Sequence, residues 1–426
     1  MTEIAALISE VKQFPIDRET MAQERLDLDS RSRTSLFPWR GQFSPELIEH
    51  LLSEYAASAR VVADPFVGSG TTLFECARKS LTCFGAEINP AAVQMASTVH
   101  FVNVQPPERS VSLLMAQAVM EKHLPAERNL FSWQDSDSNA TQRSVEEVFH
   151  VMLDEASQSP LVHNVIANTV IRYGEAQGAN DADLFRRAFH QHRAVVEQLP
   201  YSPNPCRVLH CDARRLPLDD QSVDFIITSP PYINVFNYHQ NYRSAMELMG
   251  WNLLRVAKSE IGSNRKHRGN RFLTVVQYAL DMLQSLCGMR RLLRPTGRVI
   301  IVIGRESNVR GMRFHNYQIL AALACGGAGL RLTLRQERKF LNRFGETIYE
   351  DLLHFAPDDI TQTAPSDFAR ELAIHFLEEA VRQATGEVKG DVLSAIRVAS
   401  HVQPSPLFEP ATAISSEGKH GANAAP

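Results

Sequence analysis

The 426-residue chain is 44% hydrophobic and 22% charged, an ordinary globular balance that excludes a wholly disordered or collagenous protein. At roughly 100–200 residues per domain it has room for two or three domains, or for one large domain with insertions. Its net charge is −4, so a nucleic-acid site must be a local basic patch and not the whole surface. No run approaches the ~20 apolar residues of a membrane-spanning helix. The start, MTEIAALISEVKQF, mixes acids with apolar residues, so a secretory leader is not expected. The six cysteines form no CxxC pair and suggest neither a zinc site nor a disulfide framework. A reducing, cytoplasmic compartment is expected.

In chain order, residues 1–35 read as a short helix and linker. In FPWRGQFSPELIEHLL, Ser44 is a helix N-cap, Pro45 suits the first turn, and Leu47, Ile48, Leu51 and Leu52 form an apolar face. Residues 61–63 read as a buried strand, 71–79 as a helix and 82–87 as a second strand, together one βαβ unit. The alternation stops over 105–204, a stretch read as helices with a polar loop at 132–141. It holds 13 acids and 8 Lys or Arg. Strands resume at RVLHCDA and SVDFIIT, followed by helices near 242–256 and 275–293 and a strand at 297–303. A helix near 317–324, two closing strands at about 330–339 and 347–355, and a helix at 366–385 complete the pattern. Past about Ser405 the composition predicts a mobile tail.

DPFVGSGTT follows an apolar strand and opens a helix, the setting of a ligand loop at the carboxyl end of a parallel strand. Gly68 and Gly70 permit torsions and close approach that a side chain blocks. The helix start near Thr71 and Thr72 offers free N–H groups. No GKS or GKT follows, so this is not a phosphate-binding P-loop. Asp64 at the strand tip repels phosphate and suits a ligand with a cationic amine. Glu87, twenty-three residues on, ends the second strand, where a carboxylate grips ribose hydroxyls. An amine, a carboxylate and a ribose together describe S-adenosylmethionine better than a dinucleotide.

The segment Thr228-Ser229-Pro230-Pro231-Tyr232 directly follows a strand. Its two prolines forbid helix and fix the backbone. Rigidity serves amine chemistry, because a planar amino group is a poor nucleophile until fixed acceptors hold its N–H bonds. The Ser229 hydroxyl and the Pro230 carbonyl suit that task, and Tyr232 offers a ring for a base to stack on.

With both motifs in hand, the chain resembles the S-adenosylmethionine-dependent amino-methyltransferases of DNA, which make N4-methylcytosine or N6-methyladenine. The resemblance rests on DPFVGSGTT with Glu87, on CDA at residues 211–213, on TSPPY and on the FSPELI helix, over about residues 36–103 and 205–355. It implies an α/β fold: a doubly wound, Rossmann-like sheet of seven strands, the last antiparallel. The implied domains are an N-terminal helix and linker (1–35), a catalytic domain (36–104 and 205–355), a helical insertion (105–204) and a C-terminal helix with a tail (356–426). It implies that Asp64, Phe66, Gly68, Ser69, Gly70, Thr71 and Thr72 hold the methionine part of the cofactor, with Phe43 and Ser44 closing that pocket. Glu87 would take the ribose hydroxyls, Ile88 the adenine ring and Asp212 the adenine amino group, with Ala213 a further cofactor contact. Ser229, Pro230, Pro231 and Tyr232 would bind the target base, and no metal is needed. The tetrad serine is more frequent among cytosine-N4 enzymes, but the motif order is not the one common among them, so the two give no clean assignment; cytosine N4 is favoured over adenine N6.

Between Lys258 and Arg271 lie five cations (Lys258, Arg265, Lys266, Arg268 and Arg271) and one acid among glycines and asparagines. This loop is the expected contact for DNA phosphates, which position without reading sequence. Asn237, Tyr238 and Tyr242 are candidate pocket walls, with a core role the equal alternative for either tyrosine. The acidic insertion is read as a helical cap or partner surface, with a recognition role as the alternative. DNA is the expected partner, with a restriction or defence-system protein as a further one. Two alternatives stay open: an RNA guanine-N2 methyltransferase, for which 35 leading residues are short for an RNA-binding domain, and a non-catalytic DNA-binding subunit.

Overall fold

The computed structural model describes residues 3–28, 33–39, 41–124, 145–175, 182–233, 240–262, 269–342, 344–358 and 365–410. Among them are nine strands: β1 (Val61–Asp64), β2 (Thr82–Glu87), β3 (Cys206–His210), β4 (Val223–Thr228), β5 (Leu293–Gly304), β6 (Glu306–Val309), β7 (Met312–His315), β8 (Leu330–Leu341) and β9 (Thr347–Pro357). β6 and β7 form a small separate ribbon that the sequence pattern does not announce. The other seven make one sheet in the order β3-β2-β1-β4-β5-β9-β8. β1 to β5 run parallel, and β9 is antiparallel to both its neighbours. This is the expected doubly wound seven-stranded α/β sheet with its last strand reversed. The strand order switches direction between β1 and β4, which opens a crevice at their carboxyl ends.

Strand alternation sends successive side chains to opposite faces. Val62, Ile227, Ile300 and Val302 join one core, under the helices Pro45–Tyr55, Thr71–Arg78 and Pro90–Ser97. Ala63, Ile226, Ile301 and Ile303 join the other, under Leu273–Leu292, Asn316–Gly327 and Pro365–Val381. Covered on both faces, the central strands read as near-continuous apolar runs.

Residues 105–204 contain the helices Pro106–His123, Val145–Ala156, Pro160–Glu175 and Ala182–Glu197. They pack into the first core and do not form a core of their own. Phe149 stacks on Phe185 at 5.0 Å, and Asn164 and Asn168 each donate to the Gln94 carbonyl, at 2.8 and 2.9 Å. Buried Arg109 donates to the carbonyls of Val104, Leu199 and Pro200 at 2.6–2.8 Å, clamping the two ends of the stretch together. The polar loop at 132–141 lies outside the described residues.

Three readings need correction. The helix near 242–256 is two, Arg243–Leu248 and Leu253–Ser259, because Gly250 takes the left-handed conformation (φ +72°) between them. The helix at 366–385 ends at Val381, and a second runs over Gly386–Val398. Gly386 and Gly390 lower the helix propensity of that segment, but burial of Val392 and Ala395 overrides it. The tail begins later than expected, since Ser405 and Phe408 are buried, at 3% and 8% exposure. No helix among the described residues is long and apolar enough to cross a membrane.

Candidate active site

The glycine loop leaves β1 and enters the helix Thr71–Arg78 through Gly70, whose φ of +97° favours glycine. A Cβ there would meet the Ala96 backbone at 2.9 Å, so the glycine also lets the loop approach the helix Pro90–Ser97. Gly68 (φ +53°) lies under the Trp39 ring, with 3.1 Å left for a Cβ. Asp64 is buried. Its two oxygens accept from the hydroxyls of Thr72 and Thr228, each at 2.6 Å, and one also accepts from the Phe66 N–H at 3.1 Å. Burial pushes its carboxyl up to about 6 against these hydrogen bonds. The side chain thus ties the ends of β1 and β4 together at the switch point.

Glu87 ends β2 half-buried on the cavity wall. Its carboxylate accepts from the N–H groups of Ile88 and Asn89, both at 2.8 Å. Burial pushes it up to about 7, opposed by those bonds and by the Gly68 N–H. Asn89 then caps the helix Pro90–Ser97 through its side chain.

Asp212 borders the cavity with its carboxylate already engaged. It accepts from Arg214 N (3.0 Å), Nε (2.8 Å) and Nη2 (2.6 Å), and from the Phe408 N–H (2.8 Å). Arg214 also pairs with Asp281 at 3.2 Å and donates to the Ser405 and Pro406 carbonyls. Ser405 donates to Asp281 and, through Oγ, reaches the Glu260 carbonyl. Segment 405–408 therefore straps the outside of the wall formed by Asp212 and residues 259–262.

At the end of β4, Ser229, Pro231 and Tyr232 face the same cavity, while Pro230 is buried behind them. Val256, residues 259–262 and Arg271 line it as well. The cavity's empty volume, counted to its open mouth, is about 1410 Å³.

Of the residues expected from sequence, Phe43, Phe66, Gly68, Thr71, Glu87, Ile88, Asp212, Ala213, Ser229, Pro231 and Tyr232 border one cavity. Asp64, Ser44, Ser69, Gly70, Thr72 and Pro230 stand behind its lining. Ser69 supports Gln42 through a 2.9 Å hydrogen bond, and the buried Ser44 Oγ has no hydrogen-bond partner. Of the basic loop, Arg271 borders the cavity and Lys258 is exposed away from it. Arg265, Lys266 and Arg268, with Asn237 and Tyr238, lie outside the described residues. Tyr242 is a support and not a wall: its ring stacks on Trp39 at 5.9 Å and its hydroxyl donates to the Pro38 carbonyl. Trp39, Gln42 and Asn89 line the cavity unforeseen. The FPWRGQF run beside FSPELI was the available signal for the first two.

Residues 21–98 match the family model described as DNA methylase. The match takes in Asp64, the glycine loop and Glu87 and stops before Ser229. The type II methyltransferase M.MjaII of Methanocaldococcus jannaschii is 34% identical over 67 residues, 15% of this chain and 13% of that protein. The alignment thus spans a small part of that relative's length. Among solved structures, the PH0226 protein of Pyrococcus horikoshii OT3 aligns at a TM-score of 0.31 and 10% identity, over 72% of this chain and 86% of that one. The rRNA methyltransferase aviRa of Streptomyces viridochromogenes aligns at 0.30 and 12%, over 84% and 99%.

Proposed function

We propose that this chain is an S-adenosylmethionine-dependent DNA methyltransferase that modifies the exocyclic amino group of a flipped base, cytosine N4 in preference to adenine N6. The observation that carries the reading is the single cavity at the switch point, which joins Glu87 and the glycine loop to Ser229, Pro231 and Tyr232. The cofactor is S-adenosylmethionine, and the site suits it. Gly68 borders the cavity without a side chain, Glu87 faces the cavity, and the buried Ser44 hydroxyl is unpartnered in the helix start beside Phe43. Bound S-adenosylmethionine supplies an electrophilic methyl carbon on a cationic sulfur.

The chain's own part is orientation. Tyr232 stacks the base, and the Ser229 hydroxyl and Pro230 carbonyl accept the amino N–H bonds so that the nitrogen lone pair faces the methyl carbon. Flipping is required because that nitrogen is out of reach inside a duplex. Lys258, Arg265, Lys266, Arg268 and Arg271 hold the phosphates flanking the flipped nucleotide, Arg271 at the cavity mouth. A sequence-specific enzyme of this kind suits a restriction or defence partner. The deciding experiment incubates the protein with methyl-labelled S-adenosylmethionine and DNA, RNA or no acceptor. Label in DNA, mapped to a cytosine N4, supports the reading. Label in RNA alone, or none, overturns it.

A further inference from the structure

The tetrad tyrosine is held at both ends by strands that the sequence motifs do not include. At the ring, a Cβ built on Gly304 would lie 2.7 Å from the Tyr232 Cε2 and 3.3 Å from Cδ2 and Cζ. Gly304 ends β5, and its φ lies outside the positive range, so its backbone has no need of glycine. What the site requires there is space: the phenol packs directly on the strand backbone. At the hydroxyl, Tyr232 donates to Glu350 Oε1 at 3.3 Å.

Glu350 is itself fixed. It is the cross-strand neighbour of Arg338 in the β8–β9 ladder, and the two side chains form an ion pair at 3.3 Å. Arg338 is buried, and its guanidinium lies over the Phe340 ring at 4.8 Å. Burial raises the Glu350 carboxyl, and Arg338 and the Tyr232 hydroxyl oppose the rise. The register pairs Gly304 with Glu350, so both holding groups sit on one rung at the carboxyl end of β5.

We propose that Gly304 and Glu350 are positioning residues for the base step, fixing the plane of Tyr232 on which the target base stacks. This rests on the methyltransferase reading and deepens it. A ring free to turn about its side-chain torsions would present edge and face alternately. A ring packed on Gly304 and tethered at its hydroxyl presents one face to the cavity before the base arrives, so the cost of ordering it is met in folding and not in the encounter.

The test is a double-mutant cycle with full-length protein, read as single-turnover methyl transfer into DNA from a host lacking the modification, alongside the Kd for S-adenosylmethionine. Tyr232→Phe and Glu350→Leu should each slow transfer about tenfold, the order expected for one hydrogen bond. The double variant should be no slower than either single one, since both remove the same tether. Glu350→Gln keeps an acceptor and should stay within about threefold of wild type. Gly304→Ala should slow transfer more than either, by about a hundredfold, because the ring itself must move. Cofactor Kd should stay within about twofold throughout.

Additive losses in the double variant, or Glu350→Leu at wild-type rate, would overturn the proposal. So would a parallel loss of cofactor affinity in every variant, which marks a merely structural role. If Gly304→Ala fails to fold, the Tyr232 and Glu350 cycle still decides. A wild-type chain that puts no methyl into DNA removes the functional reading and this proposal with it. A wild type that methylates DNA while the cycle is additive removes the proposal alone.

Discussion

Under the proposed function the cavity has a cofactor half and a base half, and the two are built differently. The centre of the cofactor half is one short stretch, β1 through Asn89, flanked by Phe43, Asp212 and Ala213, and the carboxylates of that stretch find partners close by. Glu87 is held by Ile88 and Asn89, and Asp64 by Phe66 and Thr72, with Thr228 the one distant contributor. The base half gathers its supports from across the chain. Tyr232 leans on Gly304 and Glu350, and the wall of residues 259–262, shared with Asp212 of the cofactor half, is braced by Arg214, Asp281 and Ser405. The two halves also differ electrically. Both hold carboxylates raised by burial, but Glu350 and Asp281 face Arg338 and Arg214, whereas Asp64 and Glu87 have only hydroxyl and backbone donors, so a cationic ligand would relieve the second pair. A self-contained half and a distributed half should fail separately, and the largest expected effect tests that.

Pro231→Ala and Tyr232→Ala should abolish most methyl transfer, by about a hundredfold or more, while leaving cofactor affinity within a few fold, because these groups act on the base. Methylation assays run beside calorimetric cofactor binding check both numbers. Near wild-type transfer in both variants would remove the Ser229–Tyr232 loop from the chemistry. The converse change is Glu87→Ala. It removes a charge-assisted hydrogen bond worth about 1.5–3 kcal/mol, or a ten- to hundredfold weaker Kd. Wild-type affinity in a correctly folded Glu87→Ala protein would refute the ribose assignment.

The same division explains what the sequence makes legible. The strand-glycine-helix grammar of residues 61–87 names its residues because the contacts are local: the torsions of Gly70, the cap at Asn89 and the strand-end acid are all properties of neighbouring positions. The seven-stranded sheet is equally readable, since apolar runs such as residues 299–303 are long and well bounded. The strap is not. SPLF at 405–408 is a low-complexity neighbour of an Ala- and Gly-rich end, and only its meeting with Arg214 and Asp281, over a hundred residues away, makes it structure. Gly304 reads as an ordinary strand end, and Glu350 as an exposed edge acid. Nothing local distinguishes a glycine kept for a ring packed against it from one kept for a turn.

The strap supplies the next test. Ending the chain after residue 401 removes the Ser405 bonds to Asp281 and Glu260 and the Phe408 N–H on Asp212, loosening the wall that carries Asp212 and therefore the one place where the two halves share a support. Several supports go while one acceptor is freed, so cofactor Kd should weaken about tenfold, roughly 1.4 kcal/mol. A tighter Kd would mean that Phe408 competes for Asp212. The pH response is no larger. The Glu87 carboxyl titrates near 7 when the site is empty, and ribose hydroxyls prefer the ionised form as acceptor. Lowering pH from 8 to 6 cuts the ionised fraction about tenfold, so Kd should rise by at most that factor. Asp64, near 6, adds to the rise only at the acid end. Glu87→Gln should flatten most of the response, and a flat wild-type profile would mean that the cofactor does not sense Glu87.

The smallest expected effect concerns the rim, where the two halves meet the polyanion. Arg271 borders the cavity mouth, Lys258 stands exposed on the helix Leu253–Ser259, and Arg265, Lys266 and Arg268 lie between them in sequence. If these side chains bind phosphates, every phosphate left without its cation should lower the slope of log K against log salt by about 0.9. Arg265, Lys266 and Arg268 changed together to Ala should lower it by up to three such steps, and Arg271→Ala alone by one. The loss should be similar for every DNA sequence, because phosphate contacts carry no sequence information. Binding measured across a salt series with two unrelated duplexes reads both quantities. An unchanged slope would leave the cations as a solvated loop. A loss confined to one duplex would instead assign the loop to reading bases, and the distributed half of the cavity would then include the specificity element that the acidic insertion is poorly charged to provide.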